Sequence, residues 1–201
     1  MEKQRAKTTK NKILKAALSL FNKKGIKGTR TKDIASKARV AEVTIYRHFN
    51  SKHEIASDLF ISYMNLLSSR LNNTLENSVD GSPGEKLASL MDTFLGFARK
   101  ERDGFNYINA GHYSDLNVSL KKINKPMDVF HKVVTEGIAS GDFAQMNPVV
   151  ASGIVIGILT RLILFHNLGI VDLADEGLAS EIKCRALMAL VPCSAERVYQ
   201  A

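Results

Sequence analysis

Between Thr31 and Lys52 the chain gathers side chains suited to gripping a polyanion. Tyr46, His48 and Lys52 offer a phenol, an imidazole and an ammonium. Each can bond a phosphate oxygen, and Lys52 adds a fixed positive charge. Apolar residues are interleaved with them at helical spacing. Ile34, Ala35 and Ala38 share one face, and Val40, Thr44 and Ile45 continue the set after a break.

The elements that must position these groups are two short helices joined by a tight turn, followed by the start of a third. In that layout the first helix props the second in a DNA major groove. Ala35 is small enough for the closest approach of the two helices. Ile45 is the apolar plug of the second, and Phe49 anchors its end. Ser51-Lys52-His53-Glu54 has the S-x-x-E pattern of a capping box and opens the next helix.

Charge placement agrees. The 201 residues carry a net charge of +8, but residues 1–53 hold 15 Lys and Arg against 3 Asp and Glu. The remainder holds 13 basic and 17 acidic residues. A basic head on a mildly acidic body points to a polyanionic partner for the head. With 45% hydrophobic residues, no Trp and no strand-like alternation, the expected fold is all-α.

The run from Ile13 to Lys52 (ILKAALSLFNKKG, then TRTKDIASKA, then VAEVTIYRHFNSK) resembles the DNA-binding domain of TetR-family transcriptional regulators. The resemblance implies about nine helices in two domains. Residues 6–66 would form a three-helix DNA-binding domain, with the helix-turn-helix at about 30–49. Residues 67–201 would form a helical ligand-binding and dimerisation domain. A long helix from about residue 52 to 77, ~37 Å if it has ~25 residues, would link the two.

Carried over residue by residue, the family pattern makes Thr31, Thr44, His48 and Lys52 phosphate contacts and suits Tyr46 to phosphate or base. It turns Lys32, Glu42, Val43 and Arg47 toward base edges, where Glu42 could accept from a cytosine amino group and Lys32 could donate to a guanine. This chain departs from the pattern in three places. Arg39 stands where the family usually has a glycine with positive φ, Ala41 where a capping serine is common, and Val43 where a small residue is frequent.

Along the chain, residues 1–9 read as a loose basic arm, and the first helix as Thr9 to Lys24, ended by Gly25. Thr31 reads as the N-cap of the second helix. Ser82-Pro83-Gly84-Glu85 is a strong helix start. Residues 105–116 read as one short helix, and 119–140 as another that kinks or restarts at Pro126. The most apolar run, 148–169, has the length of a membrane span, but Arg161 near its middle argues against lipid and for a helix buried on most sides. A last helix is expected over about 174–190.

The resemblance further implies an inducer pocket in the second domain. Met91, Phe94, Phe97, Phe105, Tyr107, His112, Tyr113, Phe130, Arg161 and His166 are its candidate lining. It also implies that the last two helices pair with those of a second copy, with Gly153, Gly157, Ile182 and Leu187 at the interface. The expected activity is sequence-specific transcriptional regulation. The chain would be a repressor released from a palindromic operator by a small-molecule effector, and the alternative is a ligand-independent architectural DNA-binding protein. No G-x-S-x-G, H-E-x-x-H or glycine-rich phosphate loop is present, so no enzyme is expected. The histidines lack metal-ligand spacing, and neither a metal nor a cofactor is expected. Two cysteines, Cys184 and Cys193, are too few for a disulfide framework. With a basic, non-apolar N-terminus they fit a cytoplasmic protein without a membrane segment.

Overall fold

The computed structural model describes residues 2–110, 116 and 125–191, the side chains from residue 5 onward. Among these residues every regular element is a helix: α1 (Glu2–Lys24), α2 (Thr31–Ala38), α3 (Glu42–Tyr46), α4 (Lys52–Glu76), α5 (Pro83–Lys100), α6 (Arg102–Asn109), α7 (Pro126–Ser140), α8 (Pro148–Asn167) and α9 (Glu176–Met188). Two compact units emerge. The first takes residues 1–66 and 100–123, the second 67–99 and 124–201, and the chain passes from the first to the second within α4.

In the first unit, α1 buries Ile13, Ala16, Ala17, Leu20 and Phe21 along one stripe. It begins at Glu2, so the stretch expected to be a loose arm is helical. The reason is local: no Gly or Pro interrupts residues 2–24, and Lys, Gln, Arg and Ala are good helix formers. The helix ends at Gly25, whose φ is +71° and whose N–H donates to Phe21 O at 2.9 Å. α2 buries Ile34, Ala35 and Ala38. Its N-cap is Arg30 rather than the expected Thr31, and the Asp33 carboxylate reaches back to the Arg30 N–H at 3.3 Å.

α6 belongs with this unit. The buried Tyr107 donates its hydroxyl proton to Ala56 O at 2.9 Å, and its ring stacks on Phe21 at 6.1 Å. Asn22 adds a bond from its amide to Asp103 O. α6 also starts earlier than the residue 105 expected, because Glu101 O accepts the Phe105 N–H and the charged run 100–103 feeds directly into the helix. The stretch 119–125, expected to be the front of α7, lies outside the described residues except for Lys125, the N-cap of a helix that begins at Pro126.

The second unit is built on α5 and α7. α5 buries Leu87, Leu90, Met91, Phe94 and Phe97 and α7 buries Val129, Phe130, Val133 and Val134, with the Phe94 and Phe130 rings edge-on at 5.9 Å. α5 opens with a reciprocal cap. Ser82 N–H donates to Glu85 Oε2 at 2.8 Å, and Glu85 N–H donates to Ser82 Oγ at 3.3 Å. These bonds hold the Glu85 carboxyl below its usual range. α8 starts at Pro148 with Asn147 as its cap and buries one stripe only: Ala151, Ser152, Val155, Leu159 and Ile163. The expectation of burial on most sides is corrected, since Gly153, Ile154, Gly157, Arg161 and Leu164 face outward in the single chain. α9 packs beside α8 and is tied to α5 by Lys183 and Asp92 at 2.8 Å.

Candidate nucleic-acid interface

The turn between α2 and α3 decides how the recognition surface is presented. Arg39 adopts φ 57° and ψ 48°, the only positive φ at a non-glycine among the described residues. Its N–H donates to Ser36 O, and the Val40 N–H donates to Ala35 O at 3.0 Å, closing α2 as a left-handed cap does. A side chain in this region costs roughly 1 kcal/mol relative to glycine. The fold holds Arg39 there because Ile34, Ala35 and Ile45 are all buried on either side of the turn.

α3 is only five residues long, and its cap residue Ala41 contributes no side-chain bond. Tertiary contacts must therefore hold it, and Ile45, fully buried, is the anchor. Outward lie Glu42, Val43, Tyr46 and Arg47, with Val43 59% and Tyr46 53% exposed. Two solvent-facing groups this large and apolar on one short helix mark a surface made for contact. Lys32 is exposed on α2 beside them, while Thr31, Thr44, His48 and Lys52 are half-buried.

Thr31 and Lys52 are already engaged inside the protein. Thr31 Oγ1 donates to Glu42 Oε1 at 2.7 Å and lies 3.3 Å from the Tyr46 hydroxyl. Lys52 Nζ donates to Thr29 O at 2.8 Å and to Lys27 O at 3.3 Å, which leaves one ammonium proton for a phosphate. Sequence reading missed both links. The partners lie 11 to 25 residues apart across turns, and no periodic pattern records such pairs. The cap of α4 differs in detail as well: Ser51 Oγ accepts the Glu54 N–H, but the Glu54 carboxylate accepts from the backbone and side chain of Asn50.

The sequence profile of bacterial regulatory proteins of the tetR family matches residues 13–59, the stretch that builds this surface. The HTH-type transcriptional repressor KstR2 of Mycolicibacterium smegmatis is 26% identical over 139 residues, 67% of each chain. The HTH-type regulator YvkB of Bacillus subtilis is 47% identical over 51 residues, 25% of this chain and 27% of that protein. Residues 13–59 thus carry the tetR-type DNA-binding domain. Both of these relatives are HTH-type transcriptional regulators. In fold, the chain is similar to a TetR-family regulator from Marinobacter aquaeolei VT8, at a TM-score of 0.80 and 15% identity over 95% of this chain and 100% of that one. It is also similar to FadR of Bacillus subtilis, solved with stearoyl-CoA, at 0.72 and 20% over 89% and 98%.

The residues expected to line a TetR-family inducer pocket are dispersed. Met91, Phe94, Phe97 and Phe130 all lie in the second unit, each no more than 3% exposed. Phe105 and Tyr107 belong to the first unit, where Tyr107 ties α6 down. Arg161 faces outward from α8, and His166 closes the loop after it, with Nδ1 3.2 Å from Val171 O and 3.3 Å from Leu173 N. His112 and Tyr113 lie outside the described residues. Among the described residues no three His, Cys, Asp or Glu side chains gather closely enough to hold a metal ion.

Of the four residues assigned to a dimer interface, Gly153 and Gly157 are exposed and Leu187 is half-buried. Ile182 is 5% exposed and points inward, so its own unit already uses it. Among the described residues of α9 and just after it, Met188 and Val191 are exposed.

Proposed function

We propose that the chain works in the cytoplasm as a homodimeric repressor that leaves a palindromic operator when a small-molecule effector binds its second unit. The observation that carries this reading is the shared exposed face of α2 and α3, where Lys32, Glu42, Val43, Tyr46 and Arg47 stand clear of the core. One such face fills one major groove. Two copies related by a two-fold axis would read half-sites ~34–36 Å apart, which is why the operator should be palindromic.

The outward stripe of α8 supports the second copy. Ile154 and Leu164 are apolar, 37% and 43% exposed, and a Cβ built on Gly153 or Gly157 would meet nothing within 4 Å. α8 is long and apolar enough to cross a membrane by length and composition. Arg161 on the outward stripe disfavours lipid, and a partner helix that approaches closely over the glycines accounts for the same stripe.

Support for an effector comes from the FadR fold neighbour, which binds stearoyl-CoA. An effector would act by favouring one conformation of the second unit over another. It can act only through its higher affinity for that form. The burial of Met91, Phe94, Phe97 and Phe130 is the one observation that favours the architectural, ligand-independent reading.

A thermal-shift and operator-release screen, with long-chain acyl-CoAs among the compounds, tests the choice. Release of bound operator by one compound class, with a rise in melting temperature, is the expected result. Operator binding that no compound alters would favour the architectural reading.

A further inference from the structure

We propose that Thr31 is a positioning residue, and that it turns Tyr46 and Glu42 into acceptors that select an exocyclic amino group on a base edge. This rests on the reading of the α2–α3 face as the operator-binding surface.

A threonine hydroxyl carries one proton, and a carboxylate carries none to give. Thr31 donates that proton to Glu42 Oε1 at 2.7 Å, the short distance of a bond to a charged acceptor. The contact between Thr31 Oγ1 and the Tyr46 hydroxyl, 3.3 Å, then has only one donor left. Tyr46 donates to Thr31, and Thr31 donates to Glu42. The chain of bonds has a single direction, and it runs inward from the exposed end of α3.

The outward consequence is chemical. With its proton turned to Thr31, the Tyr46 oxygen presents only lone pairs to solvent, and Glu42 presents only lone pairs beside it. Phosphate oxygens, guanine O6 and N7, and thymine O4 are acceptors too and gain no bond from this pair. The hydrogen donors on the major-groove edge are the amino groups of cytosine N4 and adenine N6. Tyr46, suited by its residue type to phosphate or base, is thereby assigned to a base, and Thr31 is removed from the phosphate contacts. At 3.3 Å the Tyr46 bond is longer than an ideal O–H···O contact, so the chain is held chiefly by the Thr31–Glu42 link. Thr31 is the member whose loss releases both others.

The test is selection of preferred operators from a randomised duplex pool by the full-length chain, followed by binding at fixed salt. In the preferred half-site, cytosine is replaced by 2-pyrimidinone and adenine by purine, one position at a time. Each analogue lacks the amino group, and the same analogue outside the half-site is the control. One position in each half-site should lose roughly tenfold or more in affinity, and which analogue causes it distinguishes cytosine from adenine. Thr31→Val should flatten base preference at that position and leave the salt dependence unchanged, while Thr31→Ser should restore the preference. Specific binding that ignores both analogues at every position overturns the relay while the regulator reading stands. Binding with no base preference in the wild-type chain overturns both. The analogue arm uses only wild-type protein, so it decides even if Thr31→Val folds poorly.

Discussion

At the scale of single residues, the polar groups near the α2–α3 face hold the protein together before they touch DNA. Lys52 is the clearest case. Two of its protons go to the carbonyls of Lys27 and Thr29, which fixes the turn leading into α2 and leaves one for a phosphate. Lys52→Ala should weaken operator and random duplex alike and lower the salt slope by about one. It should also lower the melting temperature, which a purely peripheral contact would not do. Titrations at several salt concentrations with a parallel melt read both effects. Tyr107 makes the same point in the core. Burial raises its pKa well above the ordinary 10.0, so the folded chain favours the protonated phenol. The stability this contributes is complete below pH 10 and is lost as the pH climbs toward the folded value. Tyr107→Phe should cost about 1 kcal/mol at neutral pH through the lost bond to Ala56 O, and should remove part of the alkaline decline. Denaturant melts across that range measure it. The sequence announced these residue types and their spacing. It did not announce their partners, because Lys52 with Thr29, Tyr107 with Ala56 and Thr31 with Glu42 meet only after the turns close.

At the scale of elements, the apolar periods of α1, α2 and α5 were legible because one buried stripe repeats every three to four residues in each. Ends were harder. α1 reached back to Glu2 because nothing stops it, and α6 began at Arg102 because charged residues do not by themselves break a helix. The α7–α8 connection shows what periodicity cannot record. Gly137 lies under the ring of Phe143, and a Cβ there would come within 2.2 Å of it. Gly137→Ala should therefore destabilise the second unit by roughly 1–3 kcal/mol through overpacking, despite alanine's better helix propensity. Denaturant melts of the full chain provide the check, and an unchanged or raised stability would mean that the Phe143 ring can move aside.

At the scale of the whole molecule, the separation into a DNA-binding part and a second helical part followed from the charge imbalance and the family resemblance. The placement of α6 in the first unit did not, since it depends on Tyr107, Phe105 and Ile108 burying against helices far away in sequence. The α8 surface was legible as an apolar run with small residues, but its one-sided burial required the packed chain. It leads to a clean prediction. Because a side chain at Gly157 meets nothing of its own chain, Gly157→Leu should leave the fold of each copy intact while overpacking the contact between copies. Sedimentation should show a weakened dimer, and operator affinity should fall roughly 100-fold or more as bivalence is lost. An unaltered dimer would place the contact elsewhere.

The central claim is that this chain reads a specific DNA sequence through the α2–α3 face. The most direct measurement is its affinity for the DNA flanking its own gene, against a scrambled duplex of equal length and composition at one fixed salt concentration. The account predicts binding at least about 10³-fold tighter to the native duplex, with protection of two half-sites one helical turn apart or a multiple of it. Equal affinity for both duplexes, falling together as salt is raised, would contradict it.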